Sequence, residues 1–127
     1  MIALVLDSGA LIGIEKGKAK AEQFVRNARK YGARILIPAS ALAQVLRPGP
    51  RAARIFRLMN DSATAEVRPL DGKAAVAVGH LLAESKTHDV VDAHVALVAR
   101  IEGAMVITSD ERNLSHLLPP GWPIERV

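Results

Sequence analysis

The sequence predicts an α/β fold in which a mostly parallel sheet carries helices on both faces. Short apolar runs suited to buried strands recur along the chain, separated by longer stretches with helical spacing and helix-type ends. With 127 residues, 50% of them apolar, the chain has the size of one ordinary domain with a sizeable core. No linker, low-complexity tract or internal repeat interrupts it, so we expect one domain over 1–127.

The elements follow in order. Residues 3–6 (ALVL) make a first strand that ends at Asp7-Ser8-Gly9, where a turn or helix starts. Over 19–31, Phe24, Val25 and Ala28 sit among Lys, Arg, Glu and Gln, a helical pattern that Gly32 stops. Residues 34–37 (RILI) are a second strand closed by Pro38. Ser40 stands where it can cap a helix through Leu46, which Pro48-Gly49-Pro50 breaks, and a further helix covers roughly 51–60. Residues 65–70 (AEVRPL) form a short strand whose Pro69 suits a sheet edge. Asp71 caps a helix to about Ser85, and the segment from Asp89 to Gly103 has the acidic cap and glycine stop of a complete helix. Residues 104–107 (AMVI) are the next strand, Asp110 opens a short helix through about Leu117, and a last strand covers 123–127.

Several function classes are excluded at this level. There is no cysteine, hence no disulfide framework and no thiolate-held zinc or iron–sulfur cluster; a reducing cytoplasm fits. The apolar start MIALVLDSGALIGI lacks a basic leader and carries Asp7 inside the run, so it reads as a core strand rather than an export signal. The run 90–108 contains Asp92, His94, Arg100 and Glu102 and is unsuited to a membrane. His80, His88, His94 and His116 are too scattered for a zinc site, Ser40 lacks the partners of a serine hydrolase, and no glycine motif cradles a phosphate. The net charge of +4 favours a polyanionic partner, while 3% aromatic residues leave little for base stacking. Recognition of RNA would therefore lean on Arg and Lys. Arg51, Arg54 and Arg57, at helical spacing after Arg47, suit either that role or an ordinary solvated face.

The carboxylates carry the chemistry. In parallel α/β sheets, functional residues gather beyond the carboxyl ends of the strands. Asp7 and Asp110 follow two strands, and Asp92 lies one turn into the helix that precedes the second of these. Three acids meeting there would repel one another, and a hard divalent cation, Mg²⁺ or Mn²⁺, is the fitting compensation. Such an ion acidifies water and stabilises charge on phosphate, the two requirements of phosphodiester hydrolysis. Asp7, Asp89 and Asp110 also stand where plain helix caps belong, whereas Asp92, between Val91 and Ala93, has no such ordinary use. Asp89, three residues before Asp92, shares its helix face and is a secondary ligand candidate. Ser8 and Ser109 flank two of the acids and suit either a ligand contact or local turn bonding.

The segments LVLDSGALI, IPASALAQVLR, DVVDAHVALVA and VITSD, in this order, resemble the PIN-domain ribonucleases, and within them the VapC-type toxins of bacterial toxin–antitoxin pairs. The resemblance spans nearly the whole chain. It implies a three-layer fold with a parallel sheet of about five strands, a Mg²⁺ or Mn²⁺ site, endonucleolytic cleavage of RNA, homodimerisation, and a cognate antitoxin whose tail covers the site. It gives Asp7 the role of the family's first acid, Asp92 that of the D-A-x-x-A helix, and Asp110 and Thr108 those of T-x-D. Asp89 has no counterpart in that pattern. Gln44 stands where the family usually has Glu, offering a carbonyl oxygen but no charge, which weakens the attraction for a cation. A different class of function, a regulator that binds RNA or an antitoxin-like partner without cleaving, is the alternative. A phosphoacceptor receiver domain would need two adjacent acids after strand one and a late Lys; Asp7 is followed by Ser8-Gly9, and Thr108-Ser109-Asp110 contains no Lys.

Overall fold

In the computed structural model, which describes residues 2–127, the apolar runs form strands β1 (Ala3–Leu6), β2 (Arg34–Pro38), β3 (Ala65–Arg68), β4 (Met105–Thr108) and β5 (Ile124–Arg126). All pair in parallel, in the order β3-β2-β1-β4-β5. The helices are α1 (Ser8–Glu15), α2 (Ala19–Tyr31), α3 (Ala39–Val45), α4 (Ala53–Met59), α5 (Gly72–Ser85) and α6 (Val90–Glu102), with 3-10 turns at Pro50–Ala52 and Glu111–Leu114.

Successive strand residues point to opposite faces. Val5 and Leu6, and Ile35, Leu36 and Ile37, are nonetheless all at most 1% exposed, so helices cover both faces of the central strands. Each of these side chains contributes about 1.5–3 kcal/mol through burial, which is why continuous rather than alternating apolar runs mark the strands. The chain moves outward from β1 to β2 and β3, then crosses back to lay β4 on the other side of β1. The carboxyl ends of β1 and β4 therefore flank the point where strand order reverses, the place where such sheets open a crevice.

Helix α6 buries Ala93, His94, Val95, Ala96, Val98 and Ala99. Its small residues let it approach α3 and strand β1 closely. His94 is 1% exposed and its Nδ1 bonds the Ser40 hydroxyl at 2.7 Å, while burial pushes its pKa down. Gly103 ends α6 at φ 62°, a left-handed position that glycine adopts without strain.

The sequence expectations need correcting at several boundaries. Strand β1 ends before Asp7 as expected, and the rest of the apolar start, 8–15, is helix α1. Ser40 is not the cap of α3, which begins after Pro38; the hydroxyl is committed to His94 instead. The segment expected as a helix over 51–60 is a 3-10 turn followed by α4, and the helix expected from Asp110 through Leu117 is only the 3-10 turn Glu111–Leu114. Strand β3 stops at Arg68, before Pro69, and lies at a sheet edge as its proline requires. Strand β4 runs one residue later than 104–107, which places Thr108 inside the sheet.

Candidate acidic active site

Asp7 occupies the first position after β1. Its backbone N–H still donates to the Ile107 carbonyl of β4 at 3.1 Å, which fixes it beside Thr108. One carboxylate oxygen, Oδ1, accepts the Ala10 N–H at 2.9 Å and so caps α1. The other accepts the Thr108 hydroxyl, and that same hydroxyl oxygen accepts the Asp110 N–H at 3.0 Å. Thr108, fully buried, thus ties two acids that lie 103 positions apart in the chain. Burial raises the Asp7 pKa, the bonds from Thr108, Ala10 and Gly9 oppose that rise, and the charge of Asp110 adds to it.

Asp92 projects from the first turn of α6, half-buried. Its carboxyl is pushed up to about 6, first by burial and then by the charges of Asp89, Asp7 and Asp110. Burial and like charge act in one direction on Asp92. Asp89 caps α6, its Oδ1 accepting the Asp92 N–H at 3.0 Å.

Asp110 has the opposite character. Its Oδ1 accepts the Arg112 backbone N–H and Nε, and its Oδ2 accepts Arg112 Nη2, all at 3.1 Å. This bonding, with a smaller contribution from Arg126, holds its pKa below the usual carboxylate range. Gln44, exposed on α3, accepts the Ser8 hydroxyl on its Oε1 at 2.6 Å, so the helix after β2 reaches the start of α1 next to Asp7. Close approach is built in at Gly9 as well: a Cβ there would lie 2.7 Å from Ser109 Cβ and 1.9 Å from Ser109 Oγ.

All residues singled out from the sequence for this site are accordingly at the β1/β4 end of the sheet or on the helices that reach it. A model of the PIN domain matches residues 4–117. The chain belongs to the PIN-domain family. PIN domains are generally nucleases and generally bind divalent metal ions. Compared by sequence, no curated protein matches the chain. Among solved structures, this PIN domain is similar to VapBC from Salmonella typhimurium bound to DNA, with a TM-score of 0.68 at 21% identity, covering 99% of this chain and 98% of that one. It is similar to VapBC2 from Rickettsia felis bound to a promoter DNA fragment, with a TM-score of 0.66 at 16% identity and 99% coverage of both chains. FitAcB from Neisseria gonorrhoeae gives 0.62 at 14% identity, covering 95% of each chain. At these identities the likeness is one of fold.

The PIN domain's donor set suits a hard cation chemically, since Asp7, Asp92 and Asp110 offer only oxygen. Among the described residues, however, no three His, Asp or Glu side chains stand together in ligating position. Asp7 spends both oxygens on Ala10 and Thr108, and Asp110 is held by Arg112.

Sequence reasoning missed Arg112, although its position two residues after an expected ligand was visible. It also assigned His94 no role, and His94 proves to be a buried link between α6 and α3. The basic series turns largely to structural work: Arg51 bonds the buried Glu15 at 3.1 and 3.3 Å, Arg54 lies 3.8 Å from Glu22, and Arg47 donates to the Ala43 and Leu46 carbonyls.

Proposed function

We propose that this PIN domain is a Mg²⁺- or Mn²⁺-dependent endoribonuclease and the toxin of a type II toxin–antitoxin pair, working in the cytoplasm as a homodimer restrained by a cognate antitoxin. The observation that carries the reading is the placement of the acids: the Thr108 hydroxyl joins the Asp7 carboxylate to the Asp110 backbone N–H where β1 and β4 end, and Asp92 stands in the first turn of α6. Carboxylates forced to share a site favour a divalent cation. Asp7 and Asp92 would hold it, with Asp110 as a third ligand and Asp89 as a secondary one. The ion would supply acidified water and charge stabilisation on phosphate. For their part, Thr108 orients Asp7 and anchors the Asp110 backbone, and Gln44, already fixed by Ser8, places a neutral polar group where a fourth charge would stand. Support for the toxin assignment comes from the VapBC and FitAB complexes, which share the fold and contain an antitoxin subunit. No helix among the described residues is long and apolar enough to cross a membrane.

Asp92→Asn is expected to abolish Mn²⁺-dependent cleavage of RNA while the circular dichroism spectrum stays that of the parent. Undiminished cleavage by this variant would refute the site. A second reading, a regulator that binds RNA or an antitoxin-like partner without cleaving it, is favoured by Gln44 and by the Arg112 pair on Asp110. Absence of cleavage by the parent protein in both Mg²⁺ and Mn²⁺, with retained RNA binding, would select it.

A further inference from the structure

We propose that Arg112 is an exchangeable counter-ion of Asp110: it holds the carboxylate in the metal-free protein and yields it when a divalent cation arrives. The proposal rests on the metal-dependent reading above. Three donors of one residue, the backbone N–H, Nε and Nη2, converge on the two oxygens of Asp110 at 3.1 Å. A fork-on-fork pair of this kind matches a carboxylate closely and competes with a cation for the same lone pairs. The backbone bond fixes Asp110 as the cap of the Glu111–Leu114 turn whatever the guanidinium does. Only the side-chain half of the clamp has to open.

Opening it is easy. The Arg112 side chain is 89% exposed and the Asp110 side chain 37%, so neither is packed into place, and exposed ion pairs hold weakly. Arg126, at the end of β5, lines the same cleft with Ser109, Glu111 and the clamped pair. A guanidinium released from Asp110 therefore stays beside a second cation, and the two together make a fitting seat for a phosphate of the RNA backbone. Cation and RNA then assist each other's binding, because each favours the open clamp.

Calorimetric titration of Mn²⁺ alone into the purified protein, without RNA, tests the clamp. Arg112→Ala is expected to bind Mn²⁺ roughly fivefold more tightly than the parent, with Arg112→Lys in between, since an ammonium cannot make the paired contact. In an Asp110→Asn background the same substitution should leave the Mn²⁺ affinity unchanged, because there is no charged clamp to release. Equal affinity of parent and Arg112→Ala, or the same gain in the Asp110→Asn background, would overturn the proposal and leave the metal site standing. Failure of both proteins to bind Mn²⁺ would overturn the metal-dependent reading and the clamp together. Unchanged thermal unfolding of Arg112→Ala, expected for so exposed a side chain, ensures that the comparison is between folded proteins.

Discussion

Among single residues Asp92 has the most informative chemistry. Its folded pKa of about 6 stands above the ordinary 3.8, so between these values the folded state binds more protons than the unfolded chain. Stability must then fall as pH rises through that window, with the whole penalty present above it. Asp92→Asn removes the penalty and is expected to stabilise the metal-free protein by about 1 kcal/mol near neutral pH, a figure discounted from the full shift because solvent screens a half-exposed carboxyl. Thermal unfolding near neutral pH and again near pH 4 checks this, with the gap between variant and parent closing at the lower value. Destabilisation at both values would show that the aspartate makes a favourable contact instead. At this scale the sequence was informative where a residue type was out of place, as with an acid between Val91 and Ala93. It was silent where the partner is distant: nothing near Thr108 indicates that its hydroxyl faces Asp7, 101 positions away.

The same contrast holds for elements. Strand ends and glycine stops were legible because each is set by a few adjacent residues: β1 ends at Asp7, α2 at Gly32 and α6 at Gly103. Helix starts were less so. Ser40 and Asp110 both have good capping side chains, yet one is drawn into a tertiary bond with His94 and the other opens only a 3-10 turn. What joins the elements at the site is the contact of the α1 start with the segment after β4, where Gly9 meets Ser109. A methyl group added at Gly9 cannot be accommodated by rotating the serine hydroxyl alone, since Ser109 Cβ itself would be 2.7 Å away. Gly9→Ala is therefore expected to push α1 from β4 and cost about 1–3 kcal/mol, as overpacking does. Ser109→Gly in the same molecule should restore most of that loss, because it vacates the space. Chemical denaturation of the two single variants and the double variant measures the coupling; strict additivity would mean that Gly9 is required for its backbone rather than for space.

At the scale of the molecule, a basic chain with a net charge of +4 carries Asp7 and Asp110 just beyond two neighbouring strands and Asp92 in the first turn of α6. That the acids belong at strand ends was readable from the order of elements, whereas the strand order that makes β1 and β4 neighbours was not, because it depends on pairing between distant segments. The two facts together predict how folding and metal binding are linked. A ligand that binds only the folded state at a hundred times its dissociation constant stabilises that state by about 2.7 kcal/mol. For a chain of this length that corresponds to a rise in Tm of roughly 10 °C. Saturating Mn²⁺ should produce a rise of this order and excess chelator should reverse it. Asp92→Asn should lose most of the increment while starting from a higher metal-free Tm, so one substitution moves the two baselines in opposite directions. That opposition is specific to a carboxylate that destabilises the fold for the sake of a cation. A variant that lowered both values, or a parent protein indifferent to Mn²⁺, would show that the acids at this end of the sheet serve the helix starts alone.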